Sequence, residues 1–302
     1  SISSAGAFTS TTIDATKLTG DLPAISGANL TGVGVAGITS TADATAITIN
    51  ATEDVGIGVT PKTTSSSFDS LQIGGGGSIS AYYDTVNGAG TDFGNNFYVN
   101  SSGTESYIFT EEAAKSKFEH GAIHFYTAPS GTADAAISWT TAMNIDNSGR
   151  VTMPAQPAFM WKGVSSNFTP STSATLFVFD SEVFDVGNNA VNNRFTAPIA
   201  GVYHFDVLLQ HAGPGANTET RYMQLGFRKN GGVLDEHSNL QAMEAVADGW
   251  GSGNSYHPQQ ISTNIQLAAN DYVDLTVSRS SASDWSGTFN SDRTRWSGYL
   301  IG

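Results

Sequence analysis

Six histidines, at positions 120, 124, 204, 211, 237 and 257, are the first side chains that could hold a metal or move a proton. His120 and His124 stand four apart, but Gly121 and the strand-like AIHFY that follows it do not predict a helix, and neither HExxH nor HxH occurs. The expectation is surface or turn histidines and no metal site. His204 differs because it alternates with core-type residues, so three copies meeting at an axis would make assembly respond to pH.

Polysaccharide hydrolysis takes two carboxylates about 5 to 10 Å apart. Asp235, Glu236, Glu244 and Asp248 lie near Trp250 and Tyr256, so the residue types are present, but no spacing selects a pair. Acidic residues with Trp in loops also make non-catalytic sugar-binding surfaces, and the chain is expected not to be an enzyme; a polysaccharide depolymerase is the alternative. Gly74 to Gly77 lacks the Lys of a phosphate loop, and no cofactor is expected. The Asn-x-Ser/Thr sequences at Asn29, Asn50, Asn100 and Asn167 are what an Asn-, Ser- and Thr-rich chain produces by chance. What remains is His211, Trp250, Tyr256, His257 and Trp285 set among Gly, Ser, Asn and Asp. Rigid rings in loops give contact area at low entropy cost and stack on sugar faces, which makes these five the candidate receptor-binding residues. The competing reading is that Trp250 or Trp285 plugs the end of a barrel.

The elements that would carry such loops are strands. Charged residues make up 13% of the 302 residues, against about 25% in ordinary soluble domains, and Ser, Thr, Asn and Gly fill the gap. A net charge of −14 with 13 scattered Lys and Arg excludes a nucleic-acid partner. Cysteine is absent, which removes disulfides, thiolate metal sites and cysteine nucleophiles and leaves a large core or oligomerisation to stabilise the fold. No apolar run reaches about 18 residues, so no membrane insertion is expected. The opening SISSAGAF has no basic segment followed by an apolar one, so no signal peptide is expected there, and a start at Ser1 without Met is compatible with truncation of a longer chain.

Along the chain, residues 1–62 form a repetitive Gly- and Thr-rich segment. Leu18-Thr19-Gly20 returns as Leu30-Thr31-Gly32, and Ile47 and Ile49, then Val55, Ile57 and Val59, alternate with polar residues or Gly. So few aliphatics cannot make a monomeric core; they are expected to pack against copies of the chain, with Gly56 and Gly58 allowing close approach. Residues 63–153 are dense in aromatics and predict a β-rich domain with strands at 78–83, 96–100, 106–110, 122–127 and 143–145. The one helical candidate is TEEAAKSK, 110–117, with Thr110 as N-cap. Residues 154–302 predict eight or more short strands and a two-sheet jelly roll or barrel. Its reference strand follows Pro198 and Gly201, with Tyr203, Phe205, Val207 and Leu209 facing a core and His204, Asp206 and Gln210 facing away. Asn230-Gly231 closes a tight turn.

LTGDLPAISGANLTG, DVGIGVTP and MNIDNSGRVTMPAQPAF, in that order, resemble the shaft, shaft-to-domain and head junction segments of bacteriophage tail fibres. The last half is similar to a C1q/tumour-necrosis-factor-like head. Phe195, Gly201, Tyr203 and Phe205 match its Phe, turn, Gly-x-Tyr-x-Phe motif; Arg228 to Gly231, with Lys229 inserted, matches its hairpin; and Ser297, Gly298, Tyr299 and Leu300 match its final strand. The departure is 213–260, longer and more aromatic than a minimal hairpin. The resemblance implies an all-β parallel homotrimer with a fibrous β shaft, a middle β-rich domain and a jelly-roll head. Leu18, Leu30, Ile57, His204 and Asp206 are the candidate trimer-interface residues. As partners it implies a host cell-surface glycan or outer-membrane receptor at the head and other virion tail proteins at the amino-terminal end. The location implied is extracellular, on a virion. A secreted cellular C1q-like adhesin is the other reading.

Overall fold

The computed structural model describes residues 46–84, 88–164, 168, 170–212, 221–233, 242–246, 256–279 and 289–302, which form two sheet systems. Leu18 and Leu30 lie outside these residues.

The first system is a nine-stranded sheet built from β1 (Ile47–Ile49), β2 (Val55–Ile57), β3 (Phe68–Ile73), β4 (Gly77–Asp84), β5 (Gly88–Asn95), β8 (Glu111–Glu119), β9 (Ala122–Gly131), β10 (Thr140–Ile145) and β11 (Val151–Thr152), side by side in that order. A two-stranded hairpin, β6 (Phe97–Val99) and β7 (Glu105–Tyr107), stands apart from it. All pairs are antiparallel except β2 with β3. Ile47 to Ile57, expected in the shaft, are therefore the first two strands of this sheet. Gly56 is required there by its own chain, because an added Cβ would come within 2.1 Å of the Val59 carbonyl oxygen. The Gly run becomes the turn between β3 and β4, and Asn147 to Gly149 becomes the turn between β10 and β11.

The helix expected at 110–117 is corrected to strand β8. Eight residues without an apolar 3.6-residue stripe are too short to sustain a helix. As a strand their backbone bonds to β5 on one side and β9 on the other. Burial follows period two, with Ala113 and Lys115 inside. His120 and Gly121, both at positive φ, make the tight turn that joins β8 to β9.

The second system is a sandwich of two sheets. One contains β14 (Ser181–Val186), β12 (Ala158–Lys162), β23 (Arg295–Leu300), β17 (Gly201–Ala212) and β21 (Tyr256–Leu267), in that order. The other runs β15 (Ala190–Val191), β16 (Arg194–Thr196), β22 (Tyr272–Arg279), β18 (Arg221–Lys229) and β19 (Gly232–Val233), with β13 (Thr175–Leu176) paired to β22 and β20 (Ala242–Val246) paired to β18. Their inner faces form one core. Phe159, Tyr203, Phe205, Val207, Leu209 and Trp296 from the first sheet, and Phe195, Met223, Leu225, Val273, Leu275 and Val277 from the second, are all fully buried. From Tyr203 to Leu209 β17 displays the alternation expected for the reference strand, whereas Gln210, expected to face away, is buried. Gly298 is fixed by this core, since a Cβ there would lie 2.7 Å from both Phe159 and Phe205.

Candidate functional site

The ends of five strands of the sandwich meet on one side. β17 leaves at Ala212 opposite Tyr256, where β21 begins, and His211 pairs with His257. β18 begins at Arg221 opposite Val246, the last residue of β20, while Met223 pairs with Arg279 at the end of β22. A hydrogen bond of 2.8 Å from Gln259 Nε2 to the Met223 carbonyl ties the two sheets at this end.

The five candidate receptor-binding residues divide accordingly. His211 is corrected: it is a strand residue, fully buried, bridged to Phe289 with ring centroids 6.4 Å apart, and not a loop side chain. Because β17 runs on to Ala212, period two carries His211 to the core side with Tyr203, Phe205, Val207 and Leu209, and the residue that departs from the alternation is Gln210, expected to face away and also buried. Tyr256 and His257 open β21 and are likewise strand residues by their backbone pairing. Trp250 and Trp285 lie outside the described residues. Of the acidic residues, Glu244 stands in β20, and Asp235, Glu236 and Asp248 lie outside the described residues. Among the described residues no cluster of three or more His, Asp or Glu could hold a metal ion, and no helix is long and apolar enough to cross a membrane.

The interface candidates His204 and Asp206 stand on the outer face of β17. His204 Nδ1 lies 2.8 Å from Asn264 Oδ1 and its Nε2 lies 3.3 Å from Ser262 Oγ, with Tyr299 packed beside the ring. Asp206 accepts a hydrogen bond of 3.1 Å from Gln260 Nε2. Both are part of a polar network between β17 and β21. Ile57 is an exposed residue of β2.

The hairpin motif at Arg228 to Gly231 is structural. Arg228 donates through Nε and Nη2 to Asp274, at 2.8 and 3.0 Å, and Arg194 Nη2 reaches the same carboxylate at 3.3 Å. Asp274 is fully buried, and its hydrogen bonds hold the Arg228 pKa above its usual value despite desolvation. Lys229 pairs with Asp271 at 2.9 Å, and Asn230 donates to the same carboxylate at 2.7 Å, which ties the hairpin to the turn before β22. Asp274 was missed in the sequence. The available signal was an acid in the middle of the apolar run YVDLTV, with an arginine in a neighbouring hairpin. A second feature missed is a hollow lined by Trp161, Phe179, Asp180, Glu182, Asn192 and Asn193. Its signal was the Asn192-Asn193 pair, both at positive φ, which turns β15 into β16.

No protein-family model and no curated protein sequence matches the chain. Among solved structures, murine APRIL at pH 5.0 aligns with 12% identity over 48% of this chain and 99% of its own, at a TM-score of 0.34. The structure of murine APRIL at pH 8.0 gives 11%, 48%, 99% and 0.34. The globular domain of zebrafish complement 1qA protein gives 15%, 49%, 98% and 0.32. The described residues make an all-β protein whose last half is a sandwich of two sheets. That fold class rests on the two sheets themselves, and similarity at these levels says nothing of partner or activity.

Proposed function

We propose that the chain is a non-enzymatic structural protein of a virion tail fibre, assembled as a parallel homotrimer. Its jelly-roll head adsorbs to a host cell-surface glycan, and its amino-terminal segment joins other tail proteins. The observation that supports this reading is the convergence of the described strand ends Ala212, Arg221, Val246, Tyr256 and Arg279, with Trp250 and Trp285 standing in sequence among Gly, Ser, Asn and Asp after Val246 and after Arg279. Three weak sites on one axis, multiplied by several fibres per particle, reach high avidity without tight individual contacts.

The test is binding of the purified full chain to a panel of bacterial cells, with extracted surface polysaccharide as competitor. Trp250→Ala combined with Trp285→Ala is expected to lower cell binding by at least about tenfold, the loss of two aromatic anchors. Unchanged binding would overturn the site. Release of oligosaccharide from the polysaccharide by the purified protein would overturn the non-enzymatic reading in favour of a depolymerase.

A further inference from the structure

The nine-stranded sheet is inverted with respect to water. Following direct cross-strand partners from β1 to β10, one row reads Ile49, Val55, Leu71, Ile79, Phe93, Ser116, Phe125 and Met143. Seven of these eight are apolar, yet Ile49 is 67% exposed, Phe93 45% and Phe125 40%. The next row on the same face reads Asp69, Ala81, Thr91, Phe118, Ile123, Ile145 and Val151, with Asp69 its one charge. Phe93 and Phe118 meet edge to face at 5.8 Å, which places both rows on one surface. Ile47, Ile57 and Ile73 extend it at the β1 end and are exposed as well.

The opposite face carries Ser70, Gln72, Ser78, Ser80, Asp92 and Lys115, all buried. The chain's own small hairpin covers part of that side: Lys115 Nζ lies 2.5 Å from Glu105 of β7 and 5.3 Å from the Phe97 ring of β6. The hairpin thus packs on the polar face, and among the described residues no element covers the apolar one. In a single-layer sheet the face that water rejects is the one expected to pack.

We infer that this apolar face is an assembly surface whose occupant is the same face of other copies of this chain. Three points select that occupant. With nine strands about 4.8 Å apart and about six residues long, the face measures about 40 by 20 Å, on the order of 800 Å² per copy, the size of a stable protein interface. A chain of net charge −14 repels its copies everywhere except where charge is absent, and the first row has none. An apolar face also complements itself, so no second kind of molecule is required. For the number of copies, three, the inference rests on the homotrimer of the proposed function; the surface does not depend on it.

The absence of cysteine makes the test direct. Ser116→Cys puts one thiol at the centre of the row, between Phe93 and Phe125. Ser102→Cys puts one in the exposed turn between β6 and β7 as a control. With a bulky maleimide and the full chain, the thiol of Ser116→Cys is expected to react at least about tenfold more slowly than the control and at the control rate in denaturant, as protection by burial requires. Light scattering on the same sample is expected to give three copies of 31.6 kDa. Thr91→Cys, on the neighbouring row, serves if Ser116→Cys does not fold. Three copies with a fully reactive thiol would overturn this surface and leave the homotrimer intact. A protected thiol in a species of two copies would support the surface and overturn the homotrimer. A mass of one copy would overturn both, whether or not the thiol is protected, since protection would then come from the chain's own segments.

Discussion

The two sheet systems solve the same problem in opposite ways. In the head, two sheets each turn an apolar face inward, so Phe159, Phe205 and Trp296 find partners within one chain and the polar residues His204, Asp206, Asn264 and Ser262 look out. Among the described residues no second sheet packs on the apolar face of the nine-stranded one. The polar side is buried instead, around an ion cluster in which Lys115 sits 2.9 Å from Asp92 and 2.5 Å from Glu105, with the rings of Phe97, Tyr126 and Trp139 about the ammonium. Burial pushes the Asp92 carboxyl pKa up against the pull of Lys115. Alternation alone says that a strand has two unlike faces. It does not say which one a single chain covers.

The contrast can be broken at its strongest point first. Trp296, with ring neighbours Phe159 at 4.9 Å and Phe179 at 5.8 Å, is the largest fully buried side chain. Trp296→Ala is expected to cost about 3–5 kcal/mol, read by urea unfolding followed by circular dichroism. A cost below about 1 kcal/mol would mean that the head core is not the one described. Next, Lys115→Ala leaves Asp92 buried without its cation and is expected to cost about 3 kcal/mol in the same measurement. Restoring much of that loss with Asp92→Leu in the same chain would sharpen the point that the inward face of the nine-stranded sheet depends on charge pairing.

The smallest effect concerns pH. Hydrogen bonds from Lys229, Asn230 and the Ala268 amide hold the Asp271 carboxyl at about 2, below its ordinary 3.8. A depressed folded pKa contributes stability above the unfolded value and loses it as pH falls through the folded one. Asp271→Asn is therefore expected to be less stable than the parent at pH 7, with the two converging as pH drops from 3.8 to about 2. A difference that persists at the lower pH would assign the effect to the Lys229 hairpin geometry and not to charge.

Much of the head was legible in the sequence. The strand holding Tyr203, Phe205, Val207 and Leu209, the Asn230-Gly231 turn and the final strand all emerge from period and turn chemistry, because these signals are local. The small residues of the motifs were legible only as matches. The reason for Gly298 is two phenyl rings brought from β12 and β17, both more than 90 residues earlier in the chain. The candidate site was half legible. The residue types of the loops and their order could be read, but His211 was misplaced, because pairing with β21 extends β17 to Ala212, where composition suggests a loop, and period two then turns His211 inward. The helix at 110–117 failed for the same reason. Its Glu, Ala and Lys residues favour a helix in isolation, and the flanking β5 and β9 outweigh that preference by pairing both edges.

By itself the sequence determined the class of the protein: few charges, many Ser, Thr, Asn and Gly, no cysteine and repeated period-two runs make an all-β chain that cannot rely on disulfides. Tertiary structure alone decided which faces are covered. Ile49, Phe93 and Phe125 belong to three separate runs, each an ordinary half-apolar strand. Cross-strand register lines them up on one uncovered surface, because strand pairing joins residues by position in the sheet and not by distance along the chain.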